Sequence, residues 1–256
     1  MNKEASIALG IVLLVLTFLW VEQPGKSPFS EPPTGHVYLF RAGYGTPLLD
    51  GLAQDSVWSG ASWLPLDQVW LGQPPVAEDF SGRYKVLWDE NNLYLLAEVI
   101  DDTLIDIHSD GLLKYWDDDC LEIFVDEDAS GGNHQYNYNA FAYHIALDGK
   151  VADIQSDSSF AFFNDHCITR RITQGSHTTW EVAIKIFDGT QYSSEPGAIN
   201  LPKRLFSGKK IGFALAYCDN DHSPERENFI GSVPVQGPDK NRGWIDAGIF
   251  GLMVLE

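Results

Sequence analysis

The chain has 256 residues, 44% of them hydrophobic, and a formal net charge of −19. That length suits one large β-domain or two small ones and buries a substantial core. The charge leaves no basic face to neutralise phosphates, so nucleic acid is excluded as a natural partner and anionic lipid headgroups are disfavoured.

Eight Trp, ten Tyr and fourteen Phe suit strand packing and the faces of sugar rings equally well. The three cysteines, Cys120, Cys167 and Cys218, permit one disulfide and one free thiol in an oxidising compartment, with the pair left open. No C-x-x-C spacing is present, which argues against a zinc site of the usual kind.

Residues 1–22 read as a signal peptide or an uncleaved membrane anchor. Asn2-Lys3-Glu4 precedes an uncharged run from Ala5 to Val21, a little shorter than the roughly 20 apolar residues of a usual span. The run exits through Thr17-Phe18-Leu19-Trp20-Val21-Glu22. These bulky residues replace the small ones of a cleavage site and favour an anchor with Trp20 at the interface. Either reading exports the remainder to the periplasm, cell surface or extracellular space. Residues 23–36, rich in Pro, Ser and Gly, form a linker, and 37–256 form one domain.

Within that domain Arg83–Trp88 and Leu93–Val99 flank the turn cluster Asp89-Glu90-Asn91-Asn92, a hairpin pattern. Cys120–Val125 alternates, with Leu121, Ile123 and Val125 on one face and Cys120, Glu122 and Phe124 on the other. Strands are also expected at Asn139–Leu147, His166–Thr173, Trp180–Ile186, Ile211–Cys218, Phe229–Val235 and Leu252–Leu255. Beyond the N-terminal run no long helical period is present. Many short strands, with 23 Gly and 13 Pro marking turns, predict an all-β fold: a two-sheet antiparallel, jelly-roll-like β-sandwich preceded by an N-terminal hydrophobic helix.

Several segments, in order, resemble the family 9 carbohydrate-binding modules. They are Pro47-Leu48-Leu49-Asp50-Gly51 with Asp55-Ser56-Val57-Trp58 and Ala61, then Val86–Tyr94, Tyr115–Asp126, Trp180–Lys185, Ile211-Gly212-Phe213, and Trp244 with Phe250-Gly251. The resemblance spans about Pro47 to Leu255. It implies a β-sandwich that binds a mono- or polysaccharide without catalysis, a sugar ring clamped between Trp116 and Trp244 while Glu122 and Asn241 bond its hydroxyls. The family's arginine on the strand after the acidic hairpin falls at Ala142, and its glutamine on a later strand at Ala216. Trp58, Trp88 and Trp180 are expected in the core.

Asp126, Asp128 and Ser130, with Gly131 at the sixth position, match the start of a calcium loop; Asn137 at the twelfth rejects an EF-hand. Asp219 and Asp221 repeat the oxygen spacing more weakly, Pro224 replacing the glycine. The alternative is an acidic tip capped by its own amides. The family resemblance implies calcium as a structural ion, and no organic cofactor is expected. Three rival functions remain. A glycosidase needs a facing pair of carboxylates that nothing in the sequence singles out. A haem sandwich of the Met/His type has only Met1 and Met253 to draw on. A structural or protein-binding module with a decayed sugar pocket is the third, and its partner is open.

Overall fold

The computed structural model describes residues 38–108 and 110–256. The expected anchor, its helix, the linker and Val37, the first residue of the expected domain, lie outside the described residues. No helix among the described residues is long and apolar enough to cross a membrane.

The described chain is all-β, interrupted by two short 3-10 turns at Ser56–Gly60 and Ala247–Ile249. Its strands are β1 (Leu39–Tyr44), β2 (Leu64–Leu66), β3 (Gln68–Leu71), β4 (Phe80–Trp88), β5 (Leu93–Asp101), β6 (Cys120–Asp126) and β7 (Phe141–Ala146). They continue with β8 (Val151–Ile154), β9 (Phe160–Phe162), β10 (Cys167–Gln174), β11 (His177–Ile184), β12 (Lys210–Asp219), β13 (Asn228–Gly231) and β14 (Gly251–Leu255). Every strand expected from alternation is present. The sequence reading missed β1, β2, β3, β8 and β9, which have three to six residues.

The hydrogen-bonded order is β10-β11-β5-β4-β1-β14-β12-β6-β7-β8-β9, with β2 on β4, and β13 joining β12 to β3. The expectation of two separate sheets meets a curled sheet instead. β1 changes partner midway: Leu39–Ala42 run parallel to Leu252–Leu255 of β14, then Gly43 and Tyr44 run parallel to Leu87 and Trp88 of β4. One short strand thereby stitches both halves into a continuous path.

Alternation explains the layers. Tyr84, Val86, Leu95, Trp180 and Val182 from one half pack into one core with Leu121, Ile123, Tyr143, Phe213 and Leu215 from the other. Each such side chain contributes roughly 1.5–3 kcal/mol on burial. The opposite face of the second half carries another cluster, with Trp70, Phe124, Ala142, Ala216, Phe229 and Phe250. The opposite face of the first half is sealed by Trp58 over Leu87, Tyr94, Leu96 and Ala183. Trp58, Trp88 and Trp180 are all buried, as expected.

The Asp50-Gly51 and Trp58 segments owe their pattern to a latch. Glu181, wholly buried on β11, accepts the amides of Asp50 (2.9 Å) and Gly51 (2.7 Å) and the indole N–H of Trp58 (2.9 Å). Gly51 sits at φ +81°, where a side chain is strained, and an added Cβ there would stand 3.0 Å from Ile172. The β4–β5 turn is capped by Asp89, whose Oδ1 accepts from the Asn91 and Asn92 amides, as the turn cluster predicts.

Candidate functional site: an aromatic cavity over the second half of the sheet

A cavity of about 380 Å³ opens on the outer face of β6, β7 and β8, in the size range of small-ligand pockets. Trp116, Glu122, Asn241 and Trp244, drawn from two distant parts of the sequence, all line it. Trp116 is half-buried, and Trp244 is 38% exposed.

β6 places Glu122. Because Leu121 and Ile123 take the core face, Glu122 turns outward beside Phe124. It is only 2% exposed. Its Oε1 lies 3.1 Å from His144 Nε2, the residue opposite it on β7. Its Oε2 has longer contacts, 3.7 Å to the Arg226 guanidinium and 3.9 Å to Cys218 Sγ. A carboxylate accepts about four hydrogen bonds, so this oxygen keeps capacity for a hydroxyl in the cavity. Burial works against a charged His144, but the adjacent Glu122 outweighs it and holds the imidazole pKa above its ordinary value.

Arg226, in the β12–β13 loop, ties the site together. Its guanidinium donates to Asn241 Oδ1 at 2.8 Å and lies 4.0 Å above the Phe229 ring. Thus a cation does enter the cavity where Ala142 leaves the expected arginine position empty of charge. Sequence reasoning missed Arg226, His144 and Asp153. Arg226 sits in an exposed-looking loop sequence, and His144 and Asp153 become site residues only through pairing of β6, β7 and β8. Asp153 lines the cavity with its carboxyl pushed up to about 7 by burial. Its oxygens accept the amides of Ala142 (2.9 Å) and Ile154 (2.7 Å), which positions β7 and β8.

The tryptophans ride on braced loops. Trp116 belongs to the segment before β6, packing near Tyr115 and Phe160. That segment is held by Asn220, whose side-chain amide donates to the Asp117 carbonyl at 2.6 Å. The Trp244 loop is pinned by His134, whose Nε2 lies 2.7 Å from the Gly243 carbonyl and whose backbone amide donates to Ile245. Gly243 lies close on Phe124: a Cβ there would stand 2.9 Å from the ring.

The two candidate metal loops differ. Asp126 accepts the Gly131 amide at 2.7 Å and the Asp128 amide at 3.3 Å, and Asp128 accepts the Ser130 amide at 3.0 Å. This is the capped arrangement. Asp219 and Asp221 instead meet acids from other strands and loops. Asp101, Asp119 and Asp219 bring carboxylate oxygens within 4.8 Å of one another, as do Asp79, Asp219 and Glu227, and Asp79, Asp102 and Asp221. The Oδ1 atoms of Asp219 and Asp221 are buried without a hydrogen-bond partner. Burial, reinforced by neighbouring carboxylates, pushes Asp219 up to about 8 and Asp119 to about 9, and burial raises Asp101 to about 6. Orphaned oxygens among crowded acids fit a hard divalent cation such as calcium. Asp119 also accepts the amides of Ile105 and Asn220, so this cluster adjoins the Trp116 segment.

The comparisons with known proteins agree with this architecture. The family model described as carbohydrate family 9 binding domain-like matches residues 49–256. Endo-1,4-beta-xylanase A of Thermotoga neapolitana is 35% identical over 215 residues, covering 84% of this chain and 17% of that protein. Its namesake from Thermotoga maritima is 27% identical over 215 residues, with the same shares covered. The chain thus spans about a sixth of these relatives. A family 9 module from Caldicellulosiruptor kristjanssonii, solved with glucose, superposes with a TM-score of 0.61 at 20% identity, covering 85% of this chain and 95% of that one. The same module solved with cellotriose gives the same TM-score. A putative carbohydrate-binding protein from Bacteroides uniformis gives 0.57 at 14% identity, covering 86% and 99%. At these identities the structural likeness is one of fold. The match of the family model over nearly the whole described domain establishes that this chain belongs to the carbohydrate family 9 binding domain-like family.

Proposed function

We propose that the chain is an exported, non-catalytic carbohydrate-binding module in which one sugar ring stacks between Trp116 and Trp244. Glu122 accepts hydrogen bonds from ring hydroxyls, while Asn241 and Arg226 supply the polar rim. The observation that carries this reading is the convergence of Trp116, Glu122, Asn241 and Trp244 on one cavity. Sugar C–H faces suit indoles, and a carboxylate with unspent acceptor capacity suits vicinal hydroxyls. The glucose and cellotriose held by the solved module from Caldicellulosiruptor kristjanssonii support a saccharide as the ligand class.

Calcium belongs in the same proposal as a structural ion. Its oxygen ligands would come from the Asp101–Asp119–Asp219 and Asp79–Asp219–Glu227 groups. There it would neutralise crowded carboxylates and steady Asp119, three residues from Trp116.

Calorimetric titration against glucose, cello-oligosaccharides and xylo-oligosaccharides, with and without calcium, tests the reading beside a Trp116→Ala, Trp244→Ala double variant. Saturable heat that disappears in the variant is the expected result. No heat with any sugar from a folded protein would overturn it in favour of a structural or protein-binding module.

A further inference from the structure

Cys120 and Cys218 stand directly opposite each other on β6 and β12, paired in antiparallel register. Opposed residues in such a ladder have Cα atoms about 4.5–5.5 Å apart, within the span of about 4.4–6.8 Å that a disulfide bridges. Both side chains enter the same cluster, beside Phe124 and Ala216, at 1% and 0% exposure. Cys167 is elsewhere, on β10 opposite Ile184 and within the central core. All three are free thiols in this structure.

We propose that Cys120 and Cys218 are a disulfide site, closed in an oxidising compartment, that staples β6 to β12 beside Glu122 while Cys167 stays a thiol. Glu122 pairs with Ala216 in the same ladder, two residues from each sulfur-bearing position. The bond therefore locks β6, which carries Glu122 and Phe124 into the cavity wall, to its neighbour β12. Cys218 is the natural first nucleophile. Arg226 lies 2.9 Å from its sulfur, and a neighbouring guanidinium favours thiolate.

The oxidant is a small-molecule or protein disulfide. The Cys218 thiolate attacks one of its sulfurs, forming a mixed disulfide and expelling one thiolate. Cys120, deprotonated, then attacks the Cys218 sulfur and expels the second. Two electrons pass from the chain to the oxidant, and the two S–H protons end on the released thiols. Because both groups are buried, the exchange occurs as the strands pair during folding. The inference is independent of the ligand the cavity takes.

The test refolds the reduced full-length chain in a mixture of reduced and oxidised glutathione. The chain is then unfolded in denaturant with iodoacetamide present, so that every free thiol is trapped, and the digest is read by mass spectrometry without reduction. The expected result is a linked pair of peptides containing Cys120 and Cys218, lighter by the two thiol hydrogens. Alkylation is lost at both and complete at Cys167, and the link survives in Cys167→Ser. Alkylation at all three cysteines, glutathione adducts without the internal link, or a link that includes Cys167 would overturn the assignment.

Discussion

Glu122 and Glu181 are both buried glutamates on central strands, and they are satisfied in opposite ways. Glu181 receives three neutral N–H donors at 2.7–2.9 Å, two of them backbone amides of the loop it holds. Glu122 is balanced by side chains, His144 at 3.1 Å and Arg226 at 3.7 Å, and one of its flanks is a cavity. Short amide bonds saturate a carboxylate and close a structure around it. Charged side chains at longer range compensate the buried charge while leaving acceptor capacity for a guest. The same residue type is thus a latch on one face of the molecule and, on the other, the acceptor proposed for the sugar.

Glu181→Ala would break the latch and should have the largest effect on stability. Two buried donors, the Gly51 amide and the Trp58 indole, and the half-buried Asp50 amide lose their acceptor, at a cost of roughly 3 kcal/mol, read as a lower urea midpoint. Sugar affinity of the folded fraction should persist; its loss would erase the distinction between the two faces. Trp116→Ala should remove about 2 kcal/mol of binding energy through lost stacking and apolar contact, measured by calorimetry. Trp244→Ala should weaken sugar binding similarly. Because Trp244 is a partly exposed loop residue, its stability change should stay within about 1 kcal/mol.

Glu122→Gln sharpens the comparison further. Binding should fall about tenfold, or ~1.4 kcal/mol, with a smaller shift in the unfolding midpoint than Glu181→Ala produces. The opposite ranking would mean that Glu122 is the structural residue.

The smallest expected effect concerns the acidic cluster. Asp101, Asp219 and Asp119 have folded pKa values raised to about 6, 8 and 9. Between the ordinary carboxylate range and those values the native state holds more protons than the unfolded chain, so metal-free stability falls as pH rises through that interval. Calcium should counter the fall. In scanning calorimetry, chelator should lower the Tm by a few degrees, roughly 2–4 °C per kcal/mol for a domain of this size, more at alkaline than at acid pH. An identical Tm with chelator and with calcium across the range would remove the ion from the account.

Much of the fold was legible because strand alternation is local. The pattern Leu121, Ile123, Val125 against Cys120, Glu122, Phe124 already assigns two faces to β6, and the structure keeps them apart in separate clusters. The hairpin at Asp89–Asn92 was equally plain, since its caps are neighbours in sequence. The strand partners of the site were not legible. Nothing near Arg226 in the chain signals that it reaches Asn241, and His144 faces Glu122 only through the β6–β7 register. The same holds for the acids: spacing pointed first to Asp126 and Asp128, which cap their own loop, whereas Asp101 and Asp119 joined Asp219 from other strands and loops.

By itself the sequence determined the all-β class, the buried face of β6 and the four residues of the proposed sugar site, the last through family resemblance. Tertiary structure alone decided that β1 joins both halves into one curled sheet, that Glu181 is a latch, and that Arg226, His144 and Asp153 complete the cavity. The physical reason is range. Side-chain direction along a strand follows from a two-residue period, whereas the partner across a strand depends on register and chain path, which no local pattern encodes.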